Sequence, residues 1–391
     1  MMIQDTHPHV KLWHKEFWLM ALANLLLTTS VYMQIPVLLQ WLDAGRHFSS
    51  LHTALSMGAY GVGIFALGVF CSYLVQRYRR NQVCMVALIV MAASMTGIYL
   101  INGQQTGSYG LVVVLRFITG ATFGLAQMVL SSTLIIDTCS SCHRTEANVA
   151  STRFNRFAVA LGPMAALLIE AHFGLHAVFG VSVCAVLVSM LFISLIRYPF
   201  KAPEETLRVV SFDRFFLPSG AWLFLNLMLV TTALGLLMTL SFDAWFYGVM
   251  LAGFLLAIVV RKIVFANAEL QSETVTGLLL FGTALLLILT RPLPMIHVIA
   301  PLFVGLGLAL IGARFLLFFI KLSKHCQRGT SQSTFFLTWE SGVSLGIFLG
   351  IALLSHHRAT LLYVAILLVA FALLMYVGFT HRWYMQHKNR E

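Results

Sequence analysis

Charged residues are scarce in this chain of 391 residues, since Asp, Glu, Lys and Arg together make up only 10% of it. An ordinary soluble domain carries about 25%. So few charges cannot cover a water-soluble surface of this size, and 59% of the residues are hydrophobic. Apolar stretches recur as far as the C-terminus, so a cleaved signal peptide does not account for them. The sequence therefore predicts an integral membrane protein.

Signals for metal, nucleotide and catalytic sites are sparse as well. Cys139-Ser-Ser-Cys142 has the spacing of half a metal site, but no second ligand pair accompanies it, so an ordinary loop is expected. No Gly-x-x-x-x-Gly-Lys-Ser/Thr loop occurs, which disfavours a nucleotide-driven pump. Of the 14 histidines, only His297 falls clearly inside an apolar stretch, and no acidic pair lies deep in one, which disfavours a membrane-embedded enzyme. We expect neither enzymatic activity nor a cofactor.

The net charge of +11 does not indicate a nucleic-acid partner, because the basic residues sit in short gaps between apolar stretches rather than on one folded face. They report topology instead, since cytoplasmic loops are enriched in Lys and Arg. With both termini in the cytoplasm, the outer loops hold only Arg46, Arg291 and Arg358, while Arg116 and Arg314 lie within apolar stretches. We therefore expect a multi-pass protein of the cell inner membrane with both termini cytoplasmic.

Twelve apolar stretches are long enough to cross the hydrocarbon core as α-helices, which takes about 20 residues each. They cover residues 17–40, 53–75, 83–101, 109–137, 150–171, 175–197, 218–240, 244–263, 274–290, 295–320, 332–355 and 359–380. This pattern predicts an all-α membrane protein of twelve transmembrane helices.

The longest hydrophilic connection, residues 198–217, divides the predicted helices six and six. We expect a first six-helix bundle over residues 1–197, a cytoplasmic linker over 198–217, and a second bundle over 218–391. A weak repeat supports the division, because the segment Arg116–Gly124 of the fourth span, which contains Gly120, aligns with the segment Pro301–Gly307 of the tenth, which contains Gly305. Internal repeats of this kind are typical of secondary transporters.

Four short motifs follow one another along these spans. They are Leu74-Val-Gln76-Arg77-Tyr-Arg79-Arg80-Asn81, then Arg116 with Gly120 and Gly124, then Leu161-Gly162-Pro163, then Phe173-Gly174-Leu-His-Ala-Val-Phe179. In this order the chain resembles the major facilitator superfamily over essentially its whole length. The first motif departs from the family's signature, with Ser72 and Arg79 in place of glycines and Gln76 in place of an acid. The resemblance implies a major facilitator fold, and Gly162-Pro163 is similar to an element of drug and solute proton antiporters.

Charged side chains inside the membrane are the best functional candidates, because each costs about 2.5 to 3.5 kcal/mol to insert unless it faces a cavity or a partner. Glu340 and Arg314 are predicted to lie at similar depths from the inner surface, where they could pair. Such a pair is either a proton-coupling site or a structural salt bridge. Arg116 lies about 10 Å below the outer surface at 1.5 Å per residue. It is predicted to bind substrate or govern protonation, with snorkelling to the interface as the alternative.

Other polar positions in the spans are candidates for contact with a substrate. They are Asn24, Gln34, Gln127, Arg156, Asn226 and Trp339. The alternative for the amides is ordinary hydrogen bonding between helices. Arg156 has the alternative of pairing with Asp137 at an inner gate. Gly162 and Pro163 are predicted to form a hinge or a static kink, because proline removes a backbone hydrogen bond.

Together these features favour a secondary active transporter that moves a small molecule by alternating access. The antiporter-like element in the fifth span favours proton-coupled export, and proton-coupled import of a small polar or anionic metabolite is the alternative. The expected partners are the substrate, protons and the lipid bilayer, with the protein acting as a monomer. Arginines in the spans suit an anionic substrate, whereas the aromatic and methionine content suits a lipophilic drug.

Overall fold

The computed structural model describes residues 13–42, 49–102, 109–135, 144–196, 208–290, 293–324, 327–354 and 357–389. Within these ranges twelve helices are long and apolar enough to cross a membrane, and no residue forms a strand. They are α1 (Lys15–Gln40), α2 (Ser50–Arg77), α3 (Arg80–Ile101), α4 (Tyr109–Leu134), α5 (Glu146–Phe173), α6 (Leu175–Ser194), α7 (Pro218–Met238), α8 (Ala244–Ile263), α9 (Leu270–Leu289), α10 (Ile296–Leu322), α11 (Arg328–Leu354) and α12 (Arg358–His387). The predicted twelve-helix architecture is confirmed.

Helix boundaries differ from the predicted spans mainly where a helix continues past its apolar part. Helix α9 begins at Leu270 rather than at residue 274, so the acidic Glu273 lies in its first turn. Helix α12 continues to His387, past the predicted end at residue 380. A hydropathy pattern locates the segment that lies in hydrocarbon, whereas backbone hydrogen bonding carries the helix into the interface.

Every third helix, starting from α1, is central in the bundle. In α1, α4, α7 and α10, 72%, 72%, 67% and 78% of the most apolar 18 residues are buried. In α3, α6, α9 and α12 the corresponding shares are only 44%, 33%, 39% and 33%. The outward residues of these last helices are large and apolar, such as Leu191 and Leu367, as expected of a surface in contact with lipid. Polar side chains on the four central helices therefore lie in the interior.

Glycines bring two pairs of helices into backbone contact. Gly120 of α4 lies against the Tyr60 carbonyl of α2, so closely that a methyl group there would overlap the oxygen. Gly305 of α10 lies in the same way against the Met250 carbonyl of α8. Small residues at such positions let membrane helices approach closely. The two glycines that align in the sequence repeat thus make the same kind of contact, α4 with α2 and α10 with α8.

We call the end of the bundle where α1 begins and α12 ends the basic face, and the other end the far face. The segment 208–217, which precedes α7, packs on the basic face between α2 and α11. The Asp213 carboxylate accepts hydrogen bonds from Ser72 of α2 at 3.3 Å and from Thr330 of α11 at 3.0 Å. The backbone amide of Ser211 donates to the Val69 carbonyl at 3.0 Å. This segment therefore joins α2 to α11 across the basic face.

Candidate functional site

The Glu340 carboxylate lies in the middle of the bundle. It is 2% exposed and twelve residues from the start of α11, or about 18 Å at 1.5 Å per residue. Arg156 Nη1 of α5 lies 3.4 Å from Glu340 Oε1. The Tyr32 hydroxyl of α1 donates to the same carboxylate, at 3.3 and 3.2 Å from its two oxygens. One buried acid therefore joins three helices that are distant in sequence.

The Arg156 guanidinium is enclosed by aromatic rings as well as by this carboxylate. Its central carbon lies 4.4 Å from the Trp339 ring centroid and 5.1 Å from that of Phe335. Both rings belong to α11, and cation–π contacts of this kind are strongest when desolvated. Arg156 is 6% exposed, and its Nε has no hydrogen-bond partner among the residues that the structure describes. The arginine thus retains an unused donor beside its carboxylate partner.

Arg116 approaches the same site from α4. It is 2% exposed, its Nη1 donates to Gln34 Oε1 at 3.3 Å, and its guanidinium lies 5.0 Å from the Tyr60 ring centroid. Its Nε has no hydrogen-bond partner within the described ranges. Arg116, Glu340, Tyr32 and Tyr60 line one cavity of about 20 Å³. A cavity of that size holds about one water molecule, so the centre is closed in this conformation.

Arg314 has a different partner from the one the sequence suggested. It pairs with Glu273 of α9, which is fully buried, and Arg261 Nε of α8 lies 2.5 Å from the other Glu273 oxygen. Glu340 pairs instead with Arg156. The sequence reasoning missed Glu273 because its predicted span began one residue later. Extending the predicted helix into the polar residues before position 274 would have included it.

The predicted amides make bonds between helices. Gln127 donates to Thr28 at 2.8 Å, and Asn24 donates to Ser151 at 3.4 Å. Gln34 donates to Ser182 at 3.4 Å and accepts from Arg116, which places it next to the central cavity. Asn226 donates to the Ala372 carbonyl at 3.0 Å between α7 and α12, and it is not among the residues that line the central cavity.

Gly162 and Pro163 are buried in α5 where that helix meets α1. A methyl group on Gly162 would overlap Tyr32, the tyrosine that contacts Glu340. The regular helix runs from Ala158 to Phe173 through Pro163, and its discontinuity lies at Phe157. The close approach of α5 to α1 therefore depends on glycine at position 162. The position of the discontinuity, directly after Arg156, is a feature that the sequence did not indicate.

Some predicted features lie outside the described residues, namely Asp137 as a partner of Arg156 and the pair Cys139 and Cys142. Among the residues that are described, no group of three or more His, Cys, Asp or Glu side chains is placed to hold a metal ion. Tyr32 and Tyr60 were not singled out from the sequence. The feature that could have identified them is their position deep in an apolar helix, because membrane tyrosines more commonly lie at the interface.

Two larger cavities lie on either side of the central site. One, of about 350 Å³, is lined by the far-face ends of α1, α7 and α11, including Gln40 and Leu354. The other, of about 250 Å³, is lined by Arg156, Arg261 and Arg314 near the basic face. Along α11, Glu340 lies between the residues that line these two cavities. The central site thus lies between two cavities, one on the side of the far face and one on the side of the basic face.

Comparisons with known proteins agree with this architecture. Solved structures with the same fold include the POT family transporter PepTSo (12% identity, TM-score 0.70, covering 96% of this chain and 99% of that one). They also include the nucleoside transporter NupG (12%, 0.64, 95% and 98%) and a bacterial homologue of the iron transporter ferroportin in an outward-facing state (16%, 0.64, 95% and 100%). No curated protein shows significant sequence similarity to the chain. The family model described as Major Facilitator Superfamily matches residues 20–268. The chain therefore belongs to the major facilitator superfamily and is a multi-pass membrane transporter.

Proposed function

We propose that this transporter is proton-coupled and that the Glu340–Arg156 pair couples proton movement to solute movement. The observation that carries the proposal is the buried Glu340 carboxylate in mid-bundle, which is held by groups from α1 and α5. In the proposed cycle, residues 1–197 and 218–391 rock as two halves about this point, joined by the linker 198–217. Tyr32 and Arg156 would then belong to one half and Glu340 to the other.

Protonation of Glu340 changes the contact between these halves. An ionised carboxylate attracts the Arg156 guanidinium and accepts the Tyr32 hydrogen bond, whereas a neutral carboxyl group loses the ionic attraction. An unpaired buried guanidinium is costly, so each protonation state favours a different arrangement of α5 and α11. A proton can bias an equilibrium only through such a difference in free energy between two states.

The geometry favours a particular sign of coupling. An anion that binds Arg156 competes with Glu340 for the guanidinium, and the released carboxylate is then easier to protonate. Anion and proton would bind together, which is the requirement for symport. The three arginines near the site, Arg116, Arg156 and Arg314, support this second candidate, import of an anionic metabolite. Export by antiport remains the prediction that follows from the resemblance of the Gly162-Pro163 element.

The coupling role can be tested without a known substrate. Spin labels on Gln82→Cys in α3 and Lys324→Cys after α10, both exposed on the basic face, report the distance between the proposed halves. In a background with the six native cysteines replaced, we expect the distance distribution to change between acidic and alkaline buffer, as measured by electron double resonance. Glu340→Gln should abolish this pH response, and the control Glu170→Gln should retain it. A pH response that survives in Glu340→Gln would exclude this residue as the coupling site.

A further inference from the structure

The cavity near the basic face has walls of two kinds. It lies among α5, α8, α9 and α10 with the first turns of α11, and its volume is about 250 Å³. Aromatic rings of Phe157, Phe254 and Phe335 form its apolar side, and the first two meet edge to face with centroids 6.3 Å apart. This volume is slightly below the roughly 300 Å³ at which most ligand pockets begin, so the cavity suits a small organic molecule.

The polar side of this cavity is strongly cationic. Its described lining contains five basic side chains and a single carboxylate, that of Glu273. The basic side chains are Arg153, Arg156, Arg261, Lys262 and Arg314. Glu273 is engaged by Arg261 and Arg314 together, so one acid faces two guanidinium groups. With Glu340 neutralising Arg156, the lining still carries an excess of positive charge.

Two buried donors in this lining are not satisfied by the protein. Arg156, which is 6% exposed, has no hydrogen-bond partner for its Nε among the described residues. Arg261 Nη1 is likewise buried and without such a partner in the same part of the chain. Buried polar groups are nearly always hydrogen-bonded, and an unsatisfied one costs about 1 to 3 kcal/mol. A ligand with acceptor oxygens would satisfy both.

We infer that this cavity is a binding site for an aromatic or similarly apolar organic anion, with its carboxylate, sulfonate or phosphate group on Arg156 and Arg261. The apolar body would lie against Phe157 and Phe254. The inference names the substrate class of the proposed transporter and in that respect rests on the proposed function. A ligand in this cavity would also act directly on the coupling pair, because the Arg156 guanidinium that lines the cavity is the one that contacts Glu340.

The same chemistry is present in a soluble organic anion and in the headgroup of an anionic lipid. The exposed side chains Arg153 and Lys262 in the lining are accessible to either. We assign the site to a soluble anion, because the aromatic wall and the volume fit a compact ring better than a headgroup with two acyl chains. The experiment below separates the two sources.

The test is binding to the purified full-length protein in a neutral detergent, measured as thermal stabilisation over a range of ligand concentrations. The probe is hydrocinnamate, with its neutral amide and with phenylpropylamine as matched controls. We expect stabilisation by the anion only. Arg261→Gln should weaken hydrocinnamate binding about tenfold or more, because it removes a charged hydrogen bond while Glu273 keeps Arg314 as its partner. The exposed pair Arg153→Gln/Lys262→Gln should weaken it by about fivefold.

Matched controls on the same face are Arg382→Gln and Lys324→Gln, both exposed and outside the cavity, and neither should change the affinity. Equal stabilisation by the amide or the amine would overturn the inference, and so would undiminished binding in both cavity variants. The lipid source is tested in nanodiscs: if phosphatidylglycerol, but not phosphatidylcholine, abolishes hydrocinnamate binding, and Arg153→Gln/Lys262→Gln restores it, the site belongs to a lipid headgroup. Because binding is measured without a gradient, failure here leaves the Glu340 test intact, and the reverse also holds.

Discussion

Arg156 and Glu340 are 184 residues apart in the chain, yet their side chains meet with 3.4 Å between nitrogen and oxygen. Arg156 lies ten residues after the start of α5 and Glu340 twelve residues after the start of α11, so both charges are deep in the bundle. Maintaining two charges there costs several kcal/mol per ion unless the pair is well bonded. Contacts with neighbouring side chains must offset this desolvation cost. The Tyr32 hydrogen bond to Glu340 and the Trp339 ring beside Arg156 provide part of that offset.

The first prediction concerns transport by Glu340→Gln. In proteoliposomes with benzenesulfonate as the anionic probe, a pH gradient should drive accumulation by the wild-type protein. Glu340→Gln fixes the neutral form, so gradient-driven accumulation should fall to background while exchange of labelled for unlabelled probe persists, because exchange needs no net proton movement.

The contrasting outcome for Glu340→Gln is a parallel loss of both activities together with a lower melting temperature. That result would identify the pair as structural, since removing one partner leaves Arg156 buried without a counter-charge. The sign of coupling is read from a pH dye in the lumen. Inward movement of the anion acidifies the lumen in symport and alkalinises it in antiport.

The second prediction concerns Arg116, whose buried guanidinium is bonded to Gln34 and lies over Tyr60. Arg116→Ala should reduce uptake of the probe by about tenfold to a hundredfold, the cost of one charged hydrogen bond to a ligand. The variant should fold and insert normally, as measured by monodisperse gel filtration. Arg382→Ala on the basic face is the matched control. Unchanged uptake by Arg116→Ala would leave Arg116 with only an anchoring role.

The third prediction concerns Glu273, which is shared by Arg261 and Arg314. Glu273→Gln leaves two guanidinium groups close together without a counter-charge. We expect a loss of stability of about 3 kcal/mol, measured as a lower thermal or denaturant midpoint. The control is Glu269→Gln, four residues earlier and exposed, which should change stability by less than about 0.5 kcal/mol. A stable Glu273→Gln protein would show that the triad contributes little to the fold.

Twelve helices could be predicted from this sequence because the hydrocarbon core imposes a length and a composition on each one. The intramembrane charges Arg116, Arg314 and Glu340 could also be found, since charge is costly there whatever the fold. The partners of these charged residues could not be predicted from the sequence. Depth along a helix is readable from residue count, which made Arg314 a reasonable partner for Glu340, but rotation about the helix axis and the neighbouring helix are set by packing. Arg156 is the partner of Glu340 in the structure, a pairing that residue counts along α5 and α11 do not indicate.

Asp213 shows, in a loop, that a contact between distant segments could not be predicted from the sequence. The sequence lacks the acid that the family's first motif carries, with Gln76 at that position, so the motif alone gave no carboxylate at this end of α2. In the structure a carboxylate from the segment before α7 lies beside Ser72 and Thr330. A side chain 141 residues away from Ser72 can be placed there only by tertiary structure.

The last prediction concerns Asp213. Its carboxylate bonds α2 to α11 through Ser72 and Thr330, and the neighbouring Arg214 amide donates to the Thr330 hydroxyl at 2.8 Å. If this segment holds the basic face closed, Asp213→Asn should weaken the closure, because an amide is a poorer acceptor than a carboxylate. We expect faster hydrogen–deuterium exchange in the first turns of α11 and in the segment 208–217, with unchanged exchange in α8.

The control for Asp213→Asn is Asp243→Asn, which alters the N-cap of α8, where Asp243 accepts from the Phe246 amide at 3.0 Å. Asparagine is as good an N-cap as aspartate, so this variant should leave exchange at the basic face unchanged. The spin-label pair at positions 82 and 324 gives a second measurement, in which Asp213→Asn should increase the population with the longer distance. Since Asp213 is outside both cavities, hydrocinnamate should still bind to this variant. If exchange and distance are both unchanged in Asp213→Asn, the segment lies on the basic face without holding it closed, and opening must be controlled by the Glu340 and Arg156 contact alone.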